Sequence, residues 1–282
     1  MSAAPAPDRP VAGFIGAGNM ARSLAGGLLR NGWDQGRVIL SDPDADQRRG
    51  AEQALGVRVY ADNNEVAARA DILVLAVKPQ VLKDVAAGLA AAVQKKRPLV
   101  LSIAAGVRLE DLERWLGGDL PIVRSMPNTA ALIGSGASGM FANARVRAPQ
   151  RDQAESILRA VGVAVWLDDE YLMDVVTALS GSGPAYFFLV MEALERAAIA
   201  NGLEPATARL LTLETAFGAA KMALEGREEP ALLRARVTSP GGTTEQAVKV
   251  LEQGGIRQLF DAAVRAAVTR ARELGDMFGR NG

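Results

Sequence analysis

From residue 11 to about residue 167, short apolar runs alternate with amphipathic stretches. The apolar runs fall at 11–15, 38–41, 57–60, 72–77, 99–103, 122–124, 139–141 and 163–167, lengths that suit strands. Between most of them, helical periodicity covers 20–30, 44–55, 64–70, 80–93, 109–116 and 150–160. Strand–helix alternation implies right-handed crossovers and a mostly parallel sheet. The run 71–77 is apolar without alternation, as a strand covered on both faces should be.

After about Asp168 the texture changes. The segments 171–179, 184–201, 205–225, 230–237, 244–253 and 256–277 read as helices, with no convincing strand among them. The stretch 206–224 is apolar almost all round, so it must be buried in a large core or against another subunit. The chain therefore divides into a tail at 1–10, an α/β domain at 11–168 and an all-helical, dimerising domain at 169–282.

Composition narrows the chemistry. Of 282 residues, 49% are hydrophobic and 23% charged, an ordinary globular balance. Lys plus Arg and Asp plus Glu are both 32, which leaves no basic surplus for nucleic acid. There is no Cys and no His, which excludes thiol nucleophiles, disulfides and imidazole acid–base catalysis. MSAAPAPDRP has three Pro and lacks the basic and apolar regions of a signal peptide, so it reads as a disordered tail. The apolar run 72–77 is too short to span a bilayer, and the expected location is the cytoplasm, without a membrane partner.

VAGFIGAGNMARSLAGGLL places Gly16, Gly18 and Ala21 in a G-x-G-x-x-A pattern between a strand and a helix. Gly16 permits the tight turn, Gly18 lets backbone approach a pyrophosphate, and Ala21 allows close helix–strand packing. The helix start then offers free N–H groups to phosphates. The second strand ends Ser41-Asp42-Pro43. Asp42 suits the ribose hydroxyls of NAD, whereas Ser41, Arg48 and Arg49 could serve a 2′-phosphate, so the two cofactor signals conflict. AVKPQ puts Lys78 and Pro79 at the carboxyl end of the fourth strand, where ligands bind in such sheets.

Three further motifs follow. RSMPNTAALIGSG starts at Arg124 and turns at Pro127 and Asn128; ALSGSGPAYFF has Gly181 and Gly183 to break a helix and Pro184 to start the next. VTSPGGTTEQAV offers a loop at Pro240–Gly242, and Thr243 or Thr244 can cap the helix after it. Consecutive amides at Gly242, Thr243 and Thr244 could form a nest for a small carboxylate.

GFIGAGNMA, LAVKPQ, SIAAG, MPNT, ALSGSGPAY and VTSPGGTT, in this order and over nearly the whole chain, resemble the pyrroline-5-carboxylate reductase family. The resemblance implies a Rossmann-type domain, a helical dimerisation domain and often an oligomer of dimers. It implies reduction of 1-pyrroline-5-carboxylate to L-proline with NADPH, NADH also being accepted. Cofactor contacts would fall on Ile15, Gly16, Ala17, Gly18, Asn19 and Met20, on Ser41, Asp42 and Asn63, on Ala76, Val77, Lys78 and Pro79, and on Ile103, Ala104 and Ala105. Substrate contacts would fall on Gly242, Thr243 and Thr244, with Ser182, Gly183, Pro184 and Asn128, and Thr244 would lie close to the ring nitrogen. A hydroxyacid-type dehydrogenase would need Lys and Asn in G-x-G-x-x-x-K-x-x-x-N, but Phe187 and Met191 stand there. A nucleotide-binding protein without turnover would have no need of the PGGTT loop.

Overall fold

The computed structural model describes residues 9–280, so the tail expected at 1–10 lies outside them except for its last two residues. Eight strands form one sheet: β1 (Ala12–Ile15), β2 (Val38–Ser41), β3 (Val59–Tyr60), β4 (Ile72–Leu75), β5 (Leu99–Ser102), β6 (Ile122–Met126), β7 (Gly136–Ala142) and β8 (Gly162–Trp166). Their order is β3-β2-β1-β4-β5-β6-β7-β8. β1 to β6 are parallel; β7 runs antiparallel to β6, and β8 parallel to β7.

The connecting helices are α1 (Asn19–Arg30), α2 (Ala45–Leu55), α3 (Asn63–Ala67), α4 (Pro79–Lys96), α5 (Leu109–Trp115) and α6 (Ala148–Arg159). They cover both faces of the sheet. Phe14, Leu40, Val74 and Leu101 pack with Leu24 and Leu28 of α1 and Ile157 of α6. Ile15, Leu73, Leu75 and Val100 pack with Leu82 and Leu89 of α4 and Leu112 of α5. All four residues of β4 are buried, as its continuous apolar run requires. Local signals set the helix ends: Asp44 caps α2 by accepting from the Asp46 and Gln47 amides, and Pro79 opens α4.

The remaining helices are α7 (Leu172–Val176), α8 (Gly183–Ala200), α9 (Pro205–Glu225), α10 (Pro230–Arg236), α11 (Thr243–Gln253) and α12 (Ile256–Arg280), with a π-helical turn at Thr177–Gly181 after α7. The first compact unit runs to Ser182 and takes in the chain again from Ala267; the second is Gly183–Ala266. Contacts with the α/β body thus extend past Asp168 to Ser182, and the chain end rejoins that body. The reason is packing and charge. A Cβ on Gly139 would lie 2.8 Å from Val176, so α7 sits directly on β7. Arg124, 4% exposed, ion-pairs with Glu170 at 3.0 Å and Asp174 at 3.6 Å. Leu274 and Phe278 of α12 lie against Gly106.

In the second unit α8 packs against α9. Of α8 to α11, only Gly183, Ala208 and Thr212 are buried.

Candidate active site

β1 ends at Ile15 and the chain turns sharply at Gly16, whose φ is +98°. A Cβ there would meet the Ala76 carbonyl at 2.8 Å, and the Gly16 amide donates to the Ser41 carbonyl at 2.8 Å. Gly18 is the N-cap of α1 and has no side chain to occupy the first-turn amides. No acidic residue stands in that turn, and a Cβ on Gly18 would meet nothing within 4 Å. The amides therefore face open space at the positive end of a helix dipole.

This turn borders a cleft of about 560 Å³. Gly16, Gly18, Asn19 and Arg22 form one side of it; Asp42, Pro43 and Gln47 form another, and Asn63 and Ala76, Val77 and Lys78 complete the rim. It lies where strand order reverses between β1 and β4, the ligand-binding point of such sheets. Asn63 Oδ1 is buried without a partner, an acceptor waiting for a donor. An open backbone cradle, a helix N-terminus and an unpaired acceptor fit a dinucleotide.

Several of the expected contact residues also have bonds within the protein. Ser41 is fully buried and its hydroxyl donates to the Phe14 carbonyl, so it braces the glycine turn and cannot reach a ligand with its side chain. Asp42 does line the cleft, but its carboxylate accepts from the Ala17 amide at 2.9 Å and the Asp44 amide at 2.9 Å. Ile15 and Ala17 are fully buried, and the Ala17 amide is taken by Asp42. Met20 packs on the core beside the turn. Ile103, Ala104 and Ala105 follow β5 at the same sheet edge, outside the cleft wall, with Ala104 buried. Arg48 is turned onto the Asp42 and Pro43 carbonyls, and Arg49 pairs with Asp46. Arg22 and Gln47, which the sequence did not single out, stand in the cleft instead.

The downstream corners also differ in detail. Asn128 donates from Nδ2 to the Ser180 carbonyl at 3.0 Å and accepts from the Ala137 amide at 3.2 Å, so its side chain pins its own turn to the π-helical turn. Gly181 is the last residue of that π turn and lies against the Met126 side chain; after one bend at Ser182 the helix restarts at Gly183. Pro184 stands in the first turn of α8 as expected.

Within the second unit, Gly241 has φ +73° and donates to Glu245 Oε2 at 2.8 Å. The Gly242 amide donates to the Ser239 carbonyl at 3.0 Å, which removes it from the expected nest. The N-cap of α11 is Gly242 and carries no side-chain cap, so neither threonine acts as one. The amides of Thr243 and Thr244 open the helix.

Comparison with known proteins accords with these features. Residues 170–274 match the family model described as pyrroline-5-carboxylate reductase dimerisation, and residues 11–106 match that of the coenzyme F420-dependent NADP oxidoreductases. A pyrroline-5-carboxylate reductase of Pseudomonas aeruginosa is 51% identical over 96% of this chain and 99% of its own length. A solved pyrroline-5-carboxylate reductase of Coxiella burnetii superposes with a TM-score of 0.91 at 48% identity, covering 95% of this chain and 99% of its own. That of Plasmodium falciparum, solved with NADP bound, gives a TM-score of 0.84 at 28% identity, covering 94% and 98%.

Proposed function

The chain belongs to the pyrroline-5-carboxylate reductase family, NAD(P)H-dependent oxidoreductases of the last step of proline biosynthesis, and from that premise we propose how its residues divide the reduction of the ring C=N bond. NADPH is the favoured cofactor, with NADH accepted; bound in the cleft, the reduced nicotinamide supplies the hydride. The first amides of α1 and the bare Gly18 would hold the pyrophosphate. Asn63 Oδ1, an unpaired buried acceptor, would take a hydroxyl donor of the dinucleotide, and Ala76, Val77 and Lys78 line the same cleft.

The amides of Thr243 and Thr244 take the substrate carboxylate, and the Thr244 hydroxyl bonds the ring nitrogen. Ser182, Gly183 and Pro184 are assigned to the same substrate, with Asn128 as the residue that positions the π turn before them. Gly242 contributes the absence of a cap rather than an N–H donor. With no His in the chain, no standard side chain titrates near neutrality, so the imine is protonated before it binds or by water. Thr244 orients that nitrogen rather than acting as an acid. Holding the two reactants at near-attack distance is worth about 7–11 kcal/mol of barrier.

The observation that carries the substrate assignment is the uncapped start of α11. Thr244→Ala should lower kcat/KM for pyrroline-5-carboxylate by about 10- to 100-fold, the value of one hydrogen bond to a charged group, without changing NADP affinity. Unchanged steady-state kinetics would remove Thr244 from the reaction.

The reading also supports a cytoplasmic oligomer of dimers. The stretch Leu172–Ala200 is long and apolar enough to cross a membrane by length and composition. It lies inside the segment matched by the dimerisation model, which supports its apolar surface as a subunit interface.

A further inference from the structure

Arg22 stands four residues into α1 and lines the dinucleotide cleft beside Asp42 and Gln47. Its Nε donates to the Ala17 carbonyl at 2.8 Å and its Nη2 to Gln47 Oε1 at 2.6 Å. Both acceptors are neutral, so these bonds fix the guanidinium without cancelling its charge. A guanidinium has five N–H donors, and the two bonds leave three for a ligand. The nearby carboxylate is held in place: both Asp42 oxygens accept from backbone amides, Ala17 on one side and Asp44 on the other. Peptide 17 is thus clamped twice, its N–H by Asp42 and its carbonyl by Arg22. The other candidate cations at this strand end are turned away, Arg48 onto two carbonyls and Arg49 onto Asp46.

Discrimination between the two nicotinamide cofactors occurs at the end of the second strand, where an Arg accommodates a 2′-phosphate and an acid accepts from a bare ribose. We propose that Arg22, braced by Gln47, is the residue by which this protein selects the 2′-phosphate of NADPH. The assignment rests on the cleft being the dinucleotide site. A pre-positioned guanidinium loses little entropy on pairing and gives charge-assisted bonds to a phosphate. Asp42 keeps its negative charge, but the Ala17 and Asp44 amides hold both its oxygens at the glycine loop.

The test uses the full chain and two nucleotides that lack nicotinamide, 2′,5′-ADP and 5′-ADP, titrated calorimetrically. The unmodified protein should bind 2′,5′-ADP at least tenfold more tightly. Arg22→Gln should lose at least tenfold for 2′,5′-ADP and stay within twofold for 5′-ADP. In turnover, kcat/KM should fall for NADPH and hold for NADH. Gln47→Glu leaves Arg22 in place but neutralises it, and should likewise weaken 2′,5′-ADP alone; it serves if Arg22→Gln does not fold. Equal losses for both nucleotides, or none, would overturn the assignment, since Arg22 would then only brace the loop or not meet the ligand. Equal binding of both by the unmodified protein overturns this proposal alone; binding of neither overturns the cleft reading and this proposal with it.

Discussion

Gly16 and Gly18 answer differently to the same added methyl. At Gly16 the backbone has φ +98°, and a Cβ would press on the Ala76 carbonyl at 2.8 Å. Gly16→Ala should therefore destabilise the fold by about 2–3 kcal/mol. At Gly18 the φ is −70° and the space is open, so Gly18→Ala should fold as well as the parent. Its methyl stands where a pyrophosphate approaches, and NADP affinity should drop at least tenfold. Denaturant unfolding and a cofactor titration on the two variants separate these outcomes; a large stability loss in Gly18→Ala would mean the cleft wall is structural. The glycine pattern is legible in the sequence because its spacing is a local property. Arg22 is not: its tie to Gln47 exists only because α2 lies beside α1. Ser41 shows the reverse case. A hydroxyl at a strand end looks available, yet β1 packs over it and its carbonyl holds the Gly16 amide.

At the level of elements, strands with β-branched runs stand out, and β7 is the instructive exception. Its Gly136 and Gly139 are poor strand formers, so the pattern at 139–141 marks only its middle, whereas pairing extends over Gly136–Ala142. Those glycines answer to neighbours far along the chain, Gly136 to the Val161 carbonyl and Gly139 to Val176. β4 errs the other way: its apolar run continues to Val77, but Ala76 and Val77 leave the sheet to line the cleft. The start of β4 is held by charge. Asp71 accepts from the Val11 amide at 2.9 Å and pairs with Lys96 at 2.7 Å, joining the approaches to β1 and β4 to the end of α4. Burial pushes its carboxyl up, but the Lys96 and Val11 bonds outweigh that and hold it below the usual 3.8. A depressed carboxyl stabilises the fold above its unfolded pKa and loses that contribution as the pH falls through the folded value. Asp71→Asn should thus cost about 0.5–1 kcal/mol at pH 7, as a half-exposed pair does. The difference from the parent should shrink as the pH drops below about 3.8. Unfolding curves from pH 7 to 3 measure it, and a gap constant with pH would show that the charge contributes nothing.

The whole molecule is governed by the second unit's lack of an interior. Phe187, Phe188 and Leu189 of α8 are each about two-thirds exposed, and so are Leu210 and Phe217 of α9. A monomeric soluble protein does not leave contiguous large apolar side chains in water on this scale. The sequence shows this half of the story well, because a helix apolar on all sides needs cover wherever it stands. It could not show that the α/β body would keep α7 and the end of α12, since those attachments depend on Arg124 meeting Glu170 and Asp174 and on Phe278 meeting Gly106. The dimerisation match over residues 170–274 spans these faces and supports a second copy of the chain as their cover. If so, charge on these faces should act on association before it acts on the α/β fold. Phe187→Glu with Phe217→Glu should weaken the dimer at least a hundredfold, since burying two unpaired carboxylates in an apolar interface costs several kcal/mol. Light scattering across a dilution series would read the dissociation. The melting temperature of the parent should rise with protein concentration, because folding of the second unit is coupled to association. The cofactor cleft, built wholly within the first unit, should still bind 2′,5′-ADP in the variant. A double variant that remains dimeric at micromolar concentration would place the subunit contact on some other face than α8 and α9.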